Sequence, residues 1–375
     1  KLISLIVLVS SLLYIFIFIF TSCEDEVDYH DLGVKNLIVV NGRFIDGETP
    51  WCQVSRSDII FDQIKNKITP TVFLPDAKVT ASDGNSDYKY VVVADSAMME
   101  AKGLTAKAGE TYTLRAKSNG LEDVYSIVTV PDKPKADFRV VSVEEITETF
   151  NDHYGPYEII DIHELEPRTY TKVTYEVNVQ DDPNTEDYYQ LVFYGTIMEY
   201  KYELITDTID GYWVGNEWYE PSVIYDYKIV DSAMVYKEIP MYDIKLTTDD
   251  PVMNWNEKES DNENMMFDVY EPNYMNIFND KLFNGQTSKI RFYMNLCEKG
   301  YIGGRKIDTN SIDFELRHIT KETYMHYRTY QQVKDNDYSG SLSQYMLYCN
   351  VEKGAGLIAA WSAVKAPLKV PDQVK

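Results

Sequence analysis

Ala77-Lys78-Val79-Thr80-Ala81, running into Asp83-Gly84-Asn85, is the stretch that decides the fold class. Its apolar and polar residues alternate with a period of two, the mark of a strand buried on one face. Asp83-Gly84-Asn85 has turn chemistry, and Tyr88 to Val93 reads as the returning strand. The pattern extends outward in both directions. Upstream, Leu37-Ile38-Val39-Val40 is a buried-strand run ending at the turn signal Asn41-Gly42, and Gln53 to Ser57 is a second strand. Downstream, Gly109-Glu110 turns into Thr111 to Ala116, and Asn119-Gly120 turns into Val124 to Val130. Short strands about ten residues apart with turns between them predict a β-sandwich over residues 37–131, its strands supplying their own core. Pro131-Asp132-Lys133-Pro134-Lys135 then reads as a linker, because paired prolines resist both helix and central strand.

A larger β-rich domain is predicted over 137–375. Asp137 to Val143, Val173 to Val179, Tyr188 to Tyr194, Lys289 to Leu296 and Ser311 to Leu316 are its strands, and Asp181-Asp182-Pro183 is a turn. Tyr200 to Ile209 and Ser222 to Val230 form the arms of a long hairpin whose tip holds Tyr212, Trp213, Trp218 and Tyr219. Residues 254–264 read as loop and Tyr274 to Phe283 as a short helix. Thr320 is placed to cap a helix from Lys321 to Val333. Val351 to Val364 is the last strand, broken by Gly354 and Gly356, and the tail with Pro367 and Pro371 is extended. The fold class is therefore all-β in the main, with one or two short helices. The 31 tyrosines and 14 phenylalanines point the same way, since aromatic residues favour strands.

Ahead of the sandwich, Leu2 to Phe20 carries no charge and leads into Thr21-Ser22-Cys23 and an acidic run, Glu24-Asp25-Glu26. Residues 1–22 read as a signal peptide, Cys23 as the lipidated residue and 23–36 as a tether. A spanning anchor of ~20 apolar residues would also fit the run; two small residues before a cysteine favour lipid attachment. A net charge of −24 argues against nucleic acid as a partner. Setting Cys23 aside leaves Cys52, Cys297 and Cys349, so one disulfide at most, with Cys297 and Cys349 the pair sharing the C-terminal half; three buried free thiols are the alternative.

In order along the chain, several pieces together resemble a family of Bacteroidetes surface lipoproteins filed as domain of unknown function 4249. They are Cys23, Leu37 to Gly42, Val54 to Ser57, Asp76 to Thr80 with Asp83-Gly84, and Gly109 with Thr111 to Leu114. Further on come Asp181-Asp182-Pro183 with Tyr188-Tyr189, Phe283-Asn284-Gly285-Gln286, the tyrosine-rich helix, and Asn350-Val351 with Gly354 and Gly356-Leu357-Ile358. The resemblance implies an immunoglobulin-like or carboxypeptidase-regulatory-like first domain, a larger β-rich second one, and company with TonB-dependent transporters of the SusC/SusD type. It supplies no catalytic residues.

The residues themselves point away from catalysis. Glu144-Glu145, Asp181-Asp182, Asp249-Asp250 and Glu257 with Glu259 are paired carboxylates, but 60 acidic residues generate such pairs by composition, and neighbours on a strand face opposite ways. Asp335 to Gly340 resembles the first half of a calcium loop, yet Met346 stands where the pattern needs Glu. His30, His153, His163, His318 and His326 show no metal spacing, and no nucleophile elbow or phosphate loop occurs. No metal and no cofactor is expected. The hairpin tip is the candidate contact surface, since aromatics in a glycine-containing loop resist complete burial and suit ligand or protein contact; capping the core is their other role. Tyr324, Tyr327 and Tyr330 read as a helix face packed on a sheet. The expectation is a non-enzymatic lipoprotein of the outer membrane and cell surface, an accessory or capture subunit of a TonB-dependent transporter. An envelope adhesion or structural module, and a hydrolase on a β-sandwich, are the alternatives; a stoichiometric barrel partner would separate out the first, and two close carboxylates in a cleft the last.

Overall fold

The structure is a computed structural model that describes residues 36–57, 72–94, 96–149, 167–209, 212–214, 217–219, 222–239, 248–253, 273, 275–297, 301–302, 305–337 and 347–367. Residues 1–35, with Cys23, and the 254–264 segment lie outside them.

The first set of strands is β1 (Ile38–Ile45), β2 (Trp51–Arg56), β3 (Val72–Phe73), β4 (Lys78–Ser82), β5 (Asp87–Val92), β6 (Met98–Ala101), β7 (Thr111–Lys117) and β8 (Val124–Thr129). Asp83 Oδ1 accepts from Asn85 N and Ser86 N, both at 2.8 Å, and Gly84 adopts φ +88°, so the β4–β5 turn forms as its residues dictate. β5 pairs β4 through Asp87 to Lys89 and β6 through Tyr90 to Val92, which carries the sheet around a corner. Val40, Phe44, Val54, Val79, Tyr112, Leu114 and Val128 fill the space so enclosed.

The rest of the chain adds β9 (Lys135–Thr149), β10 (Pro167–Gln180), β11 (Tyr188–Ile209), β12 (Tyr212–Val214), β13 (Glu217–Tyr219), β14 (Ser222–Glu238), β15 (Ile277–Asn279), β16 (Thr287–Cys297), β17 (Tyr301–Ile302), β18 (Arg305–Ile319), the helix α1 (Lys321–Asp337) and β19 (Ile358–Pro367). β16, β10 and β9 make a three-stranded sheet that packs on β11 and β18. Tyr175 and Phe292 from one layer meet Phe193 and Phe314 from the other, ring centroids 5.0–6.4 Å apart.

One sheet serves both cores. Its strand order is β14-β11-β18-β19-β1-β2-β6-β5-β4-β7-β8. β19 lies antiparallel to β18 and parallel to β1. Ile358 and Ala360 enter the first core and Val364 packs on the second, while Leu357, Ala359, Trp361 and Ala363 face α1. Buried on both faces over its first half, β19 opens on a continuous apolar run, Ile358 to Trp361, rather than an alternating one. The segment before it closes the first sandwich: Glu352 exchanges backbone hydrogen bonds with Tyr125 of β8, and Ala355 with Ile38 and Val40 of β1. Gly356 has φ +108°, and a Cβ there would lie 2.2 Å from Val40 O; at Gly354 it would lie 2.5 Å from Ile38 O. Only glycine permits that approach.

The first core is therefore not supplied by residues 37–131 alone, because Val351, Ile358 and Ala360 complete it. Nor is Pro131–Lys135 a free linker. Asp132 O accepts from Ser362 Oγ at 2.6 Å and lies 2.9 Å from His318 Nδ1, and Lys133 pairs Asp46 at 3.0 Å.

Three smaller expectations change. Ile277–Asn279 is a strand added to β11, not part of a helix, since Asn276 takes φ +48° and Asn273 Oδ1 accepts from Ile277 N. Asp335 to Asp337 are the last residues of α1 rather than the start of a loop. Cys349 is an exposed free thiol, so the Cys297–Cys349 disulfide is not formed. Cys297 ends a strand of the three-stranded sheet, whereas Cys349 sits beside Val351 in the first core. Sharing a half of the sequence did not place them together. The capping expectation holds, with Thr320 Oγ1 accepting from Thr323 N at 3.2 Å.

Candidate functional site

The feature that leaves the body of the protein is the β11–β14 hairpin. Both arms are rich in tyrosine and isoleucine, with threonine on β11 and valine on β14, and they pair from Tyr194↔Glu238 out to Ile209↔Ser222. β18 accompanies β11 only as far as Ile197. Beyond it, among the described residues, β11 pairs only with β14, so Met198 to Ile209 form a two-stranded ribbon about 40 Å long at ~3.3 Å per residue. A bulge at Lys201/Tyr202 leaves Val230 without a cross-strand partner.

The ribbon has two unlike faces. Register places Tyr236, Met234 and Ile229 opposite Thr196, Met198 and Tyr202, with Leu204 next along the same face. Tyr202, Leu204, Ile229, Met234 and Tyr236 are 42–55% exposed. Glu199, Lys201, Glu203 and Lys237 alternate with them on the other face, where Lys237 pairs with Glu199. Solvent-exposed apolar residues in one stripe call for cover. An isolated two-stranded hairpin is also marginal in water.

A buried charge network holds the base of the ribbon. Arg317 on β18 gives hydrogen bonds to Glu315 (2.6 Å), Glu238 (2.7 Å), Tyr194 (2.9 Å) and Gln190 (3.2 Å), and its guanidinium lies 4.7 Å from the Trp361 ring. Burial opposes its charge, but Glu238 and Glu315 outweigh burial and the guanidinium pKa is raised. Lys365 reaches the second oxygen of Glu315 at 3.0 Å. Tyr194 and Glu238 are the first pair of the hairpin that continues into the ribbon, so the network holds the ribbon's base.

At the far end, β12 pairs β13 with Tyr212↔Tyr219 and Trp213↔Trp218 in register. The four aromatics singled out from the sequence thus do gather at the hairpin tip; their side chains lie outside the described residues.

Sequence reasoning missed two polar sites. Asp181, Asp187 and Asp280 are buried with ligand oxygens within 4.8 Å of one another. Each has protein donors: Asp181 accepts from Tyr189 OH and Gly285 N, Asp187 from Thr185 Oγ1 with His318 Nε2 at 3.2 Å, and Asp280 from Asp187 N. Burial, then neighbouring charge, raises the pKa of Asp181 and Asp280 against their backbone hydrogen bonds. For Asp187 burial is outweighed by His318, and the pKa is lowered. Turn residues from 181–187 and 280–285 meet here, which makes the cluster a knot between loops. Asp181-Asp182-Pro183 is the expected turn, with Asn184 N on Asp182 Oδ1, and only tertiary contact reveals that Asp181 points inward. The other site is a groove of about 430 Å³ outside the three-stranded sheet, lined by Lys172, Lys289 and Arg291 of the sheet and by Asp249 and Asp250. Arg291 is held by Glu176 at 2.8 Å, and Lys172 Nζ covers the Tyr293 ring at 4.0 Å. The remaining buried thiol, Cys52, is pushed up to about 12 by burial and is chemically quiet.

The family described as domain of unknown function (DUF4249) matches residues 22–366 of this sequence. The chain belongs to that family. No curated protein and no solved structure matches it. As a DUF4249 protein it has an all-β body with one helix among the described residues, and no described helix is long and apolar enough to cross a membrane.

Proposed function

We propose that this DUF4249 protein is a non-enzymatic lipoprotein of the outer membrane, displayed at the cell surface, that serves as an accessory or capture subunit of a TonB-dependent transporter. The observation that carries the reading is the ribbon, a rigidly seated arm with an exposed apolar face and an aromatic tip. Protein interfaces are enriched in Tyr, Trp and Met and depleted of charge, which is the composition of that face. The leader and Cys23 support the location, and the family match begins at residue 22, beside Cys23. The carboxylate cluster supports a role without catalysis, because its oxygens are engaged by protein donors inside the fold rather than turned to a cleft.

Affinity purification of the full chain from its own outer membrane in mild detergent tests this. A β-barrel transporter should co-purify in stoichiometric amount, and Trp213→Ala with Trp218→Ala should reduce its yield while leaving the melt unchanged. A well-folded, lipidated chain that brings no barrel with it would refute the reading.

A further inference from the structure

The groove outside the three-stranded sheet holds opposite charges apart. Strand alternation builds its basic wall. Val173, Tyr175, Ile290, Phe292 and Met294 fill the second core, so Lys172 on β10 and Lys289 and Arg291 on β16 take the outer face. Glu176, its side chain fully buried, accepts from Arg291 Nε at 2.8 Å and also pairs with Arg139. That fixes the Arg291 guanidinium and leaves its two terminal nitrogens without a partner among the described residues. Lys289 stands two positions away on the same face, ~7 Å along the strand.

The acidic wall is Asp249 and Asp250, and core contacts hold it in place. Thr248 Oγ1 donates to Arg291 O at 2.5 Å and accepts from Asp250 N at 3.0 Å. Val252 N donates to Asp250 Oδ1 at 3.0 Å, and Val252 and Met253 are buried in the second core. Asp250 is thus partly engaged, whereas Asp249 is exposed. Among the described residues no ion pair joins either aspartate to Lys172, Lys289 or Arg291, although all five line one groove of about 430 Å³.

That volume lies in the ~300–1,000 Å³ range of small-ligand pockets, and the charges choose the ligand. An uncharged molecule would strip water from three cations and two carboxylates and return no charge. A polyanion would meet the aspartates in the groove and a net charge of −24 on the chain. A polycation would meet the basic wall. A zwitterion answers both walls and is repelled by neither.

We infer that the groove binds a short peptide by its free ends, the terminal carboxylate on Arg291 and Lys289 and the terminal ammonium on Asp249. The two terminal nitrogens of Arg291 match the two oxygens of a carboxylate. The site is separate from the ribbon, and the inference stands whether or not a transporter docks there.

Titration calorimetry of the full chain, purified in mild detergent, tests it with trialanine as the probe. Trialanine should bind saturably at one site per chain. N-acetyl-trialanine, which lacks the ammonium, and trialanine amide, which lacks the carboxylate, should each bind at least tenfold more weakly. Lys289→Gln and Asp249→Asn, both at exposed positions, should each weaken trialanine at least fivefold. On Asp249→Asn the free and acetylated peptides should bind alike, because the ammonium has lost its partner. That comparison is made within one protein, so a change in stability does not mimic it. No saturable binding of trialanine overturns the inference. So does an acetylated peptide that binds the parent as tightly as the free one, which would show an anion site only, and so does free alanine binding as tightly as trialanine. Full affinity in either variant overturns it too.

Discussion

Replacing Ile358 by alanine should destabilise the sandwich built from the other end of the chain. Ile358 is fully buried in the first core, on a strand clamped between β1 and β18. The substitution removes three carbons, a transfer loss of about 2.4 kcal/mol at ~0.8 kcal/mol per methylene. It also leaves a cavity of roughly 75 Å³, which at about 24 cal/mol per Å³ adds up to ~2 kcal/mol because the clamped strand resists collapse. The expected loss is about 4 kcal/mol, a large part of the ~5–15 kcal/mol that holds a folded domain. Urea denaturation followed by tryptophan fluorescence measures it, and hydrogen exchange locates it. Amides of β1, β2 and β7 should lose protection together with those of β19. The same reasoning says that residues 36–132 alone will not fold cooperatively, and that appending residues 347–367 through a flexible linker will restore a cooperative transition. A loss below about 1 kcal/mol, or a sharp melt of the isolated 36–132 fragment, would refute the shared core.

Arg317→Ala should cost about 3–5 kcal/mol, the usual result of leaving buried carboxylates without their cation, and hydrogen exchange should show β11 and β14 loosening first. The acid cluster sets a pH dependence. Asp187, with its lowered pKa, contributes stability that is present above the unfolded carboxylate value and lost as pH falls through the folded one. Asp181 and Asp280, with raised pKa values, act oppositely: their contribution declines as pH rises from the unfolded value of about 4 through their folded values. Asp181→Asn should therefore lose less stability than the parent as pH rises above the unfolded carboxylate value of about 4 in urea titrations, and an equal or larger loss would contradict the assignment. Cys23→Ala should abolish incorporation of labelled palmitate and leave a chain that keeps its leader; continued labelling would mean the lipid is attached elsewhere.

Much of the fold was legible because its strands obey local rules. Alternation at 77–81 and 111–116, the Asp83-Gly84 turn and the Thr320 cap all act over a few residues, and each appears in place. The hairpin was legible too, since two long arms rich in β-branched and aromatic residues flank a glycine-containing tip. What escaped was non-local. The helix expected over 274–283 gave way to a strand because β11 offered an edge there. A visible signal existed for β19, whose apolar residues at both parities between Leu357 and Val364 mark a strand covered on both sides, but not for which two cores would cover it.

By itself the sequence determined the fold class, the family and the hairpin with its aromatic tip, because each rests on residue type and short-range spacing. The tertiary structure alone decided that one sheet serves two cores, that Arg317 seats the ribbon, and that Asp280 joins Asp181 and Asp187 from about a hundred positions away. These depend on contacts between residues up to hundreds of positions apart, such as Asn41 Oδ1 accepting from Leu357 N, and no local pattern encodes which distant partner fills a given face.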